Sequence, residues 1–203
     1  MSIRRVLVLT TAGILTGAAG AGAQACLGFP TRDGSIAIAA SYGDMDGWTE
    51  IGGDFHADVS GPGAFGFAYR TGTGEGEPST YELRGAYDFY LLEPAICVVG
   101  GVRFMDVGSA AVSERLGVPV GLGIGKTLDT GRFATTVYAI PQYMWVREVR
   151  TGALGDEVVE TSNEFTGEAG LTVGILPLFL NGAITLDTLD DEPTFRFRVG
   201  LVF

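Results

Sequence analysis

After residue 33 the chain alternates apolar and polar residues with a period of two, in ten segments of about ten residues, and this restricts it to β-strands. The segments run 35 to 42, 49 to 59, 64 to 71, 79 to 90, 95 to 106, 116 to 127, 133 to 147, 164 to 175, 178 to 187 and 194 to 203. Gly, Pro, Asp and Glu bound them, and nothing repeats at helical spacing. An even number of antiparallel strands closes on itself with both ends of the chain on one side.

The two faces differ in chemistry. In the second segment Ile51, Phe55, Ala57 and Val59 oppose Glu50, Asp54, His56 and Asp58. In the fourth, Tyr81, Leu83, Tyr87 and Phe89 oppose Glu82, Arg84 and Asp88; in the last, Phe195, Phe197, Val199, Leu201 and Phe203 oppose Arg196, Arg198, Gly200 and Val202. A soluble sandwich or lipocalin-type barrel alternates as well, with its apolar face inward. The aromatics favour the other orientation, because Tyr42, Phe65, Tyr69, Tyr81, Tyr87, Phe89, Phe133, Tyr143 and Phe203 gather near segment ends, as at a membrane interface.

Composition agrees: 46% of residues are apolar and 18% charged, yet no segment after the first is apolar enough for a membrane helix. Residues 1–25 read as a secretory signal peptide. Arg4 and Arg5 precede the apolar run Val6 to Leu15, and Ala21-Gly22-Ala23 and Ala23-Gln24-Ala25 offer overlapping cleavage sites. Its removal leaves residues 26–203 as one barrel domain with 11 basic and 24 acidic residues, a net charge of −13. With no basic cluster, nucleic acid is excluded as a partner.

The connections are expected to alternate between short periplasmic turns (60 to 63, 91 to 94, 129 to 132, 176 to 177) and longer, mostly acidic outer loops. The loops are 43 to 48, 72 to 78, 107 to 115, 148 to 163 and 188 to 193, the fourth with a mobile tip. This map puts Cys26 and Cys97 at the same end, so a disulfide would tie residues 26 to 33 across the mouth or just inside it. Lipidation of Cys26 is the alternative, although Ala23 stands where a lipobox has leucine.

The chain resembles the small bacterial outer-membrane β-barrel superfamily of OmpA-like and OmpX-like, porin-fold proteins. The leader, the alternating strands and the closing Phe195-Arg-Phe-Arg-Val-Gly-Leu-Val-Phe203 carry the likeness. It implies an all-β, transmembrane, antiparallel up-and-down barrel of about ten strands, with eight as the alternative. It further implies a place among Gram-negative outer-membrane lipids and assembly by the barrel assembly machinery, with Phe203 as the C-terminal signal.

On this reading the lumen holds Glu50, Asp54, His56, Asp58, Arg70, Glu82, Arg84, Asp88, Arg103, Glu164, Glu168, Asp187, Arg196 and Arg198, because an ion facing lipid costs about 2 to 4 kcal/mol at the midplane. A salt-bridged filling is the first expectation for this set and a selectivity filter the second. His56, the sole histidine, reads as an interior hydrogen-bonded residue; the spacing of Asp54, His56 and Asp58 along one strand is too long for one metal ion. Gly121 to Thr127 mimics a phosphate loop but has Val120 where the leading glycine belongs, so it reads as a strand whose glycines leave room for arginines opposite. Pro119 is expected to mark a bulge or kink.

The expected function is a structural or surface-interaction barrel, monomeric, without cofactor or resident metal. A narrow channel for a small or hydrophobic solute is the alternative. A rim enzyme is less favoured, although Asp44, Asp46, Asp156, Glu157, Asp190 and Asp191 could hold Ca²⁺ loosely.

Overall fold

A computed structural model describes residues 22–30, 35–45, 48–59, 62–73, 77–89, 94–106, 112–130, 133–151, 156–187 and 193–203. Ten strands form a closed antiparallel barrel: β1 (Ile36–Met45), β2 (Trp48–Val59), β3 (Gly63–Gly72), β4 (Ser79–Asp88), β5 (Ala95–Asp106), β6 (Val112–Asp129), β7 (Phe133–Thr151), β8 (Glu157–Ile175), β9 (Leu178–Asp187) and β10 (Thr194–Val202). Each pairs with its sequence neighbours, and β10 returns to β1. Phe203 completes the seam: its N–H donates to Ile36 O at 2.8 Å and its carbonyl accepts from Ile36 N–H at 3.1 Å. The start of β1 and the end of β10 share one end of the barrel, here the near end.

Strand alternation sorts the side chains. Along β7, Phe133, Val137, Tyr143 and Trp145 face out, while Ala134, Thr136, Tyr138, Ile140, Gln142, Met144 and Val146 are buried inside. The outer surface is an apolar belt on every strand; Leu180 is 64% exposed and Phe197 58%. Aromatics stand at both edges of the belt, with Phe65, Tyr87, Phe89, Phe133 and Phe203 toward the near end and Tyr42, Tyr69, Tyr81, Tyr143, Phe165 and Phe195 toward the far end.

Toward the far end several strands outrun their expected boundaries. β1 continues to Met45, and residues 148–151 and 157–163, expected as loop, continue β7 and β8 in register, with Glu148 opposite Glu160 and Arg150 opposite Val158. The three valines and two threonines of this stretch suit strand backbone, but both faces are wet, so the alternation that marks a strand is lost. The expected mobile tip at 152–155 lies outside the described residues. Pro119 causes no bulge. The β5–β6 ladder skips Val118 and Pro119 yet resumes in the same register, and the register shift lies at Val112/Glu114, beside β7.

Candidate functional site

The candidate site is the barrel interior, filled by two layers. The layer at the near end is the chain's own segment 22–30. It rises from the mouth as helix α1 (Gly22–Cys26), turns at Gly28, whose φ of +78° favours glycine, and returns through Phe29 and Pro30. The two legs are pinned together at the base. Gln24 Nε2 donates to Ser35 O and Ser35 Oγ donates to Gln24 Oε1, both at 3.1 Å. A disulfide joins Cys26 to Cys97 on β5, with both cysteines fully buried, so the tether runs inside the mouth and Cys26 carries no lipid.

The barrel wall makes room for this insert with small inward residues, among them Ala37, Ala39, Ala64, Ala86 and Ala134. At Gly125 a Cβ would overlap Ala25 O, and at Gly123 it would press on Cys26 Cβ at 3.0 Å. The expectation that these glycines admit arginines is therefore corrected: they admit backbone of the insert. At the tip, Phe29 stacks on His56 with ring centroids 3.5 Å apart, meets Phe179 edge-on at 5.6 Å and lies 5.8 Å beneath the Arg198 guanidinium carbon. Thr172 Oγ1 donates to Gly28 O at 2.6 Å.

Above the tip lies a ring of alternating charge. Arg196 bonds Glu50 at 2.7 Å, Glu50 faces Arg70 at 3.7 Å and Arg70 bonds Glu82 at 3.2 Å. Glu82 binds Arg84 at 2.6 Å, Arg84 reaches Glu168 at 3.1 Å, and Glu168 returns to Arg196 at 4.0 Å. Asp54 joins from inside at 2.7 Å from Arg70 and 3.6 Å from Arg198, while Arg103 adds to Glu82 at 3.1 Å. Tyr138 donates to Glu168 at 2.8 Å, and Arg198 donates to Asn181 Oδ1 at 2.8 Å. Such burial is tolerable because each carboxylate meets at least two arginines; an unmatched buried ion would cost several kcal/mol. Between ring and tip, a cavity lined by Leu27, Phe29, His56, Arg70, Glu82 and Arg198 has room for about one water molecule.

Of the residues expected inside, Glu50, Asp54, Arg70, Glu82, Arg84, Arg103, Glu168, Arg196 and Arg198 make up this network. Glu164 sits apart, bonded to Arg115. Asp58 and Asp88 lie at the ends of β2 and β4 by the near mouth. Asp187 ends β9 opposite Thr166, and its side chain lies outside the described residues. Within the network four carboxylates meet five arginines. His56 is buried inside as expected; its Nδ1 has no hydrogen-bond partner among the described residues, and its ring is held between Phe29 and Gly66.

Sequence reading missed Arg115, Glu148, Arg150 and Glu160. They form a second ladder across β6, β7 and β8, with Arg115–Glu148 at 3.4 Å, Arg150–Glu148 at 2.8 Å and Arg150–Glu160 at 3.3 Å. It also missed Gln24 and Ala25, assigned to the leader, and Tyr138 and Asn181, whose polar groups stand among apolar neighbours. Among the described residues no group of His, Cys, Asp and Glu is arranged to hold a metal ion; Asp46, Asp190 and Asp191 lie outside them.

No protein-family model matches the chain, and no curated protein matches it. Among solved structures it is similar to Neisserial surface protein A, NspA, at 9% identity and a TM-score of 0.39, over 83% of this chain and 93% of that one.

Proposed function

We propose that the protein is a monomeric β-barrel of the bacterial outer membrane with a structural or surface-interaction role and a closed lumen. The observation that carries this is the outward apolar belt, rimmed by aromatics, on a barrel whose interior is already occupied. A belt of this extent in water would be an aggregation surface, whereas lipid accepts it. On β7 the outward apolar positions run from Phe133 to Trp145, about 30 Å of tilted strand, the depth of a bilayer core. Lys126 also points out, three residues from the end of β6, and its four-carbon stem lets the ammonium reach the headgroups.

The near end then faces the periplasm, since an exported chain leaves both termini there. The leader is cleaved at the first of its two sites, after Ala23, so that Gln24 and Ala25 stay with the barrel, and the strand ending at Phe203 presents the chain to the assembly machinery. The far-end sheet of β6, β7 and β8 stands clear of the belt, its outward face turning polar at Arg147, and offers the surface for contact outside the cell. The reading favours structure over transport because the insert and the charged ring close the lumen in series.

Two measurements test it. The mature protein should fractionate with the outer membrane and shift its gel migration on heating, and a detergent-independent soluble protein would overturn the assignment. In planar bilayers it should show no steady conductance, whereas a reproducible open level would favour the channel.

A further inference from the structure

The disulfide sits where no folded oxidant can reach it. Cys26 and Cys97 have no solvent exposure, and Cys26 Sγ lies 3.6 Å from Gly123 O and 3.8 Å from Ala95 O. Both cysteines belong to the buried apolar cluster that includes Leu27 and Val99. On the mouth side stands α1, whose Gln24 is clamped to Ser35. The loop it closes has a sequence separation of 71 and contains β1 to β4 entire. Thiol–disulfide exchange requires a sulfur to be approached in line with the bond being made or broken, so access limits its rate.

We infer that the Cys26–Cys97 bond is made before the barrel closes, by a disulfide-bearing oxidant acting on the unclosed chain, so that the insert is captured inside before β10 seals against β1. In the first step one cysteine, as thiolate, attacks a sulfur of the oxidant's disulfide, giving a mixed disulfide and releasing the oxidant's other sulfur as thiolate. In the second, the partner cysteine attacks the chain's own sulfur in that mixed disulfide, forms Cys26–Cys97 and expels the oxidant's remaining thiolate. Two protons and two electrons pass from the two cysteines to the oxidant, which leaves as a dithiol. Closure then encloses the product. The inference rests on the closed barrel and the enclosed bond, not on the role proposed for the protein.

The test uses the full mature chain in detergent, with folding read separately from heat-modifiable migration. Native, oxidised protein is treated with a phosphine reductant and free thiols are counted by maleimide labelling, folded and in denaturant. Reduction is expected to be at least about 100-fold slower in the folded barrel. Equal rates would overturn the inference, since a bond that can be broken inside the barrel can be made there. Conversely, chain folded with both thiols reduced should stay reduced when a purified dithiol oxidoreductase in its disulfide form is added. Oxidation of that folded barrel as fast as of the denatured chain would also overturn it. Should reduced chain fail to fold, the reductant arm decides alone.

Discussion

Arg84 on β4 reaches across the lumen to Glu168 on β8, a contact of 3.1 Å between strands on nearly opposite sides of the barrel. Glu82 holds the same guanidinium from its own strand at 2.6 Å, so one arginine joins the two halves of the charged ring. Replacing Arg84 with Ala leaves two buried carboxylates each short of a cation. The expected loss is about 3 to 5 kcal/mol, measured as a lower temperature for the heat-modifiable transition. Bilayer conductance should stay absent in this variant, because the insert still blocks the near end.

Phe29 fills the middle of the barrel against His56, Phe179 and Arg198. The Phe29→Ala substitution removes that packing where the wall cannot collapse inward, and an unfolding midpoint in denaturant should report a loss of about 3 to 5 kcal/mol. A neutral result would mean that the tip contributes little to holding the barrel.

Gly125 faces the carbonyl of Ala25, and a side chain there would occupy the insert's own backbone position. A Gly125→Val chain should still form strands, since valine suits them and the outer belt is untouched. The insert should not seat. The disulfide, made on the open chain, should persist but lie exposed: its reduction by a phosphine in the folded variant should run close to the rate in denaturant, while the parent resists.

The two leader-cleavage sites differ in what they leave behind. Cleavage after Ala23 keeps Gln24 and its paired hydrogen bonds to Ser35, whereas cleavage after Ala25 removes α1 and that clamp. Two buried hydrogen bonds are worth about 1 to 3 kcal/mol together. Intact mass of the purified protein is expected to place the first residue at Gln24. A mass beginning at Cys26 would mean that the insert is held without that clamp, by its disulfide, the contacts of Phe29 and the Thr172–Gly28 hydrogen bond.

The wall was legible in the sequence because an apolar outer face and a filled, partly charged interior impose opposite demands on successive residues. All ten strands follow from that alternation, as does the inward aim of Glu82, Arg84, Arg196 and Arg198. The far-end continuation of β7 and β8 was not legible, since Glu157, Val158, Val159 and Glu160 have water on both sides and carry no periodic signal. The charged ring was visible only as a list of residues. Which carboxylate meets which arginine depends on strand stagger and long side chains crossing the lumen, which spacing along one strand does not encode. The insert was hidden for another reason. Gln24 and Ala25 read as the tail of an export signal, and nothing local says that a short polar-and-apolar stretch will be drawn inside.

Because the insert and the inward glycines and alanines fill one volume, neither can change alone. Among relatives of this chain, positions 66, 123 and 125 should covary with positions 25 to 29, larger wall residues accompanying a smaller or shorter insert. Loss of either cysteine should accompany loss of the other. The signature of this barrel in evolution would then be a joint drift of its first thirty residues and the floor of its lumen, while the outward positions vary freely among apolar residues.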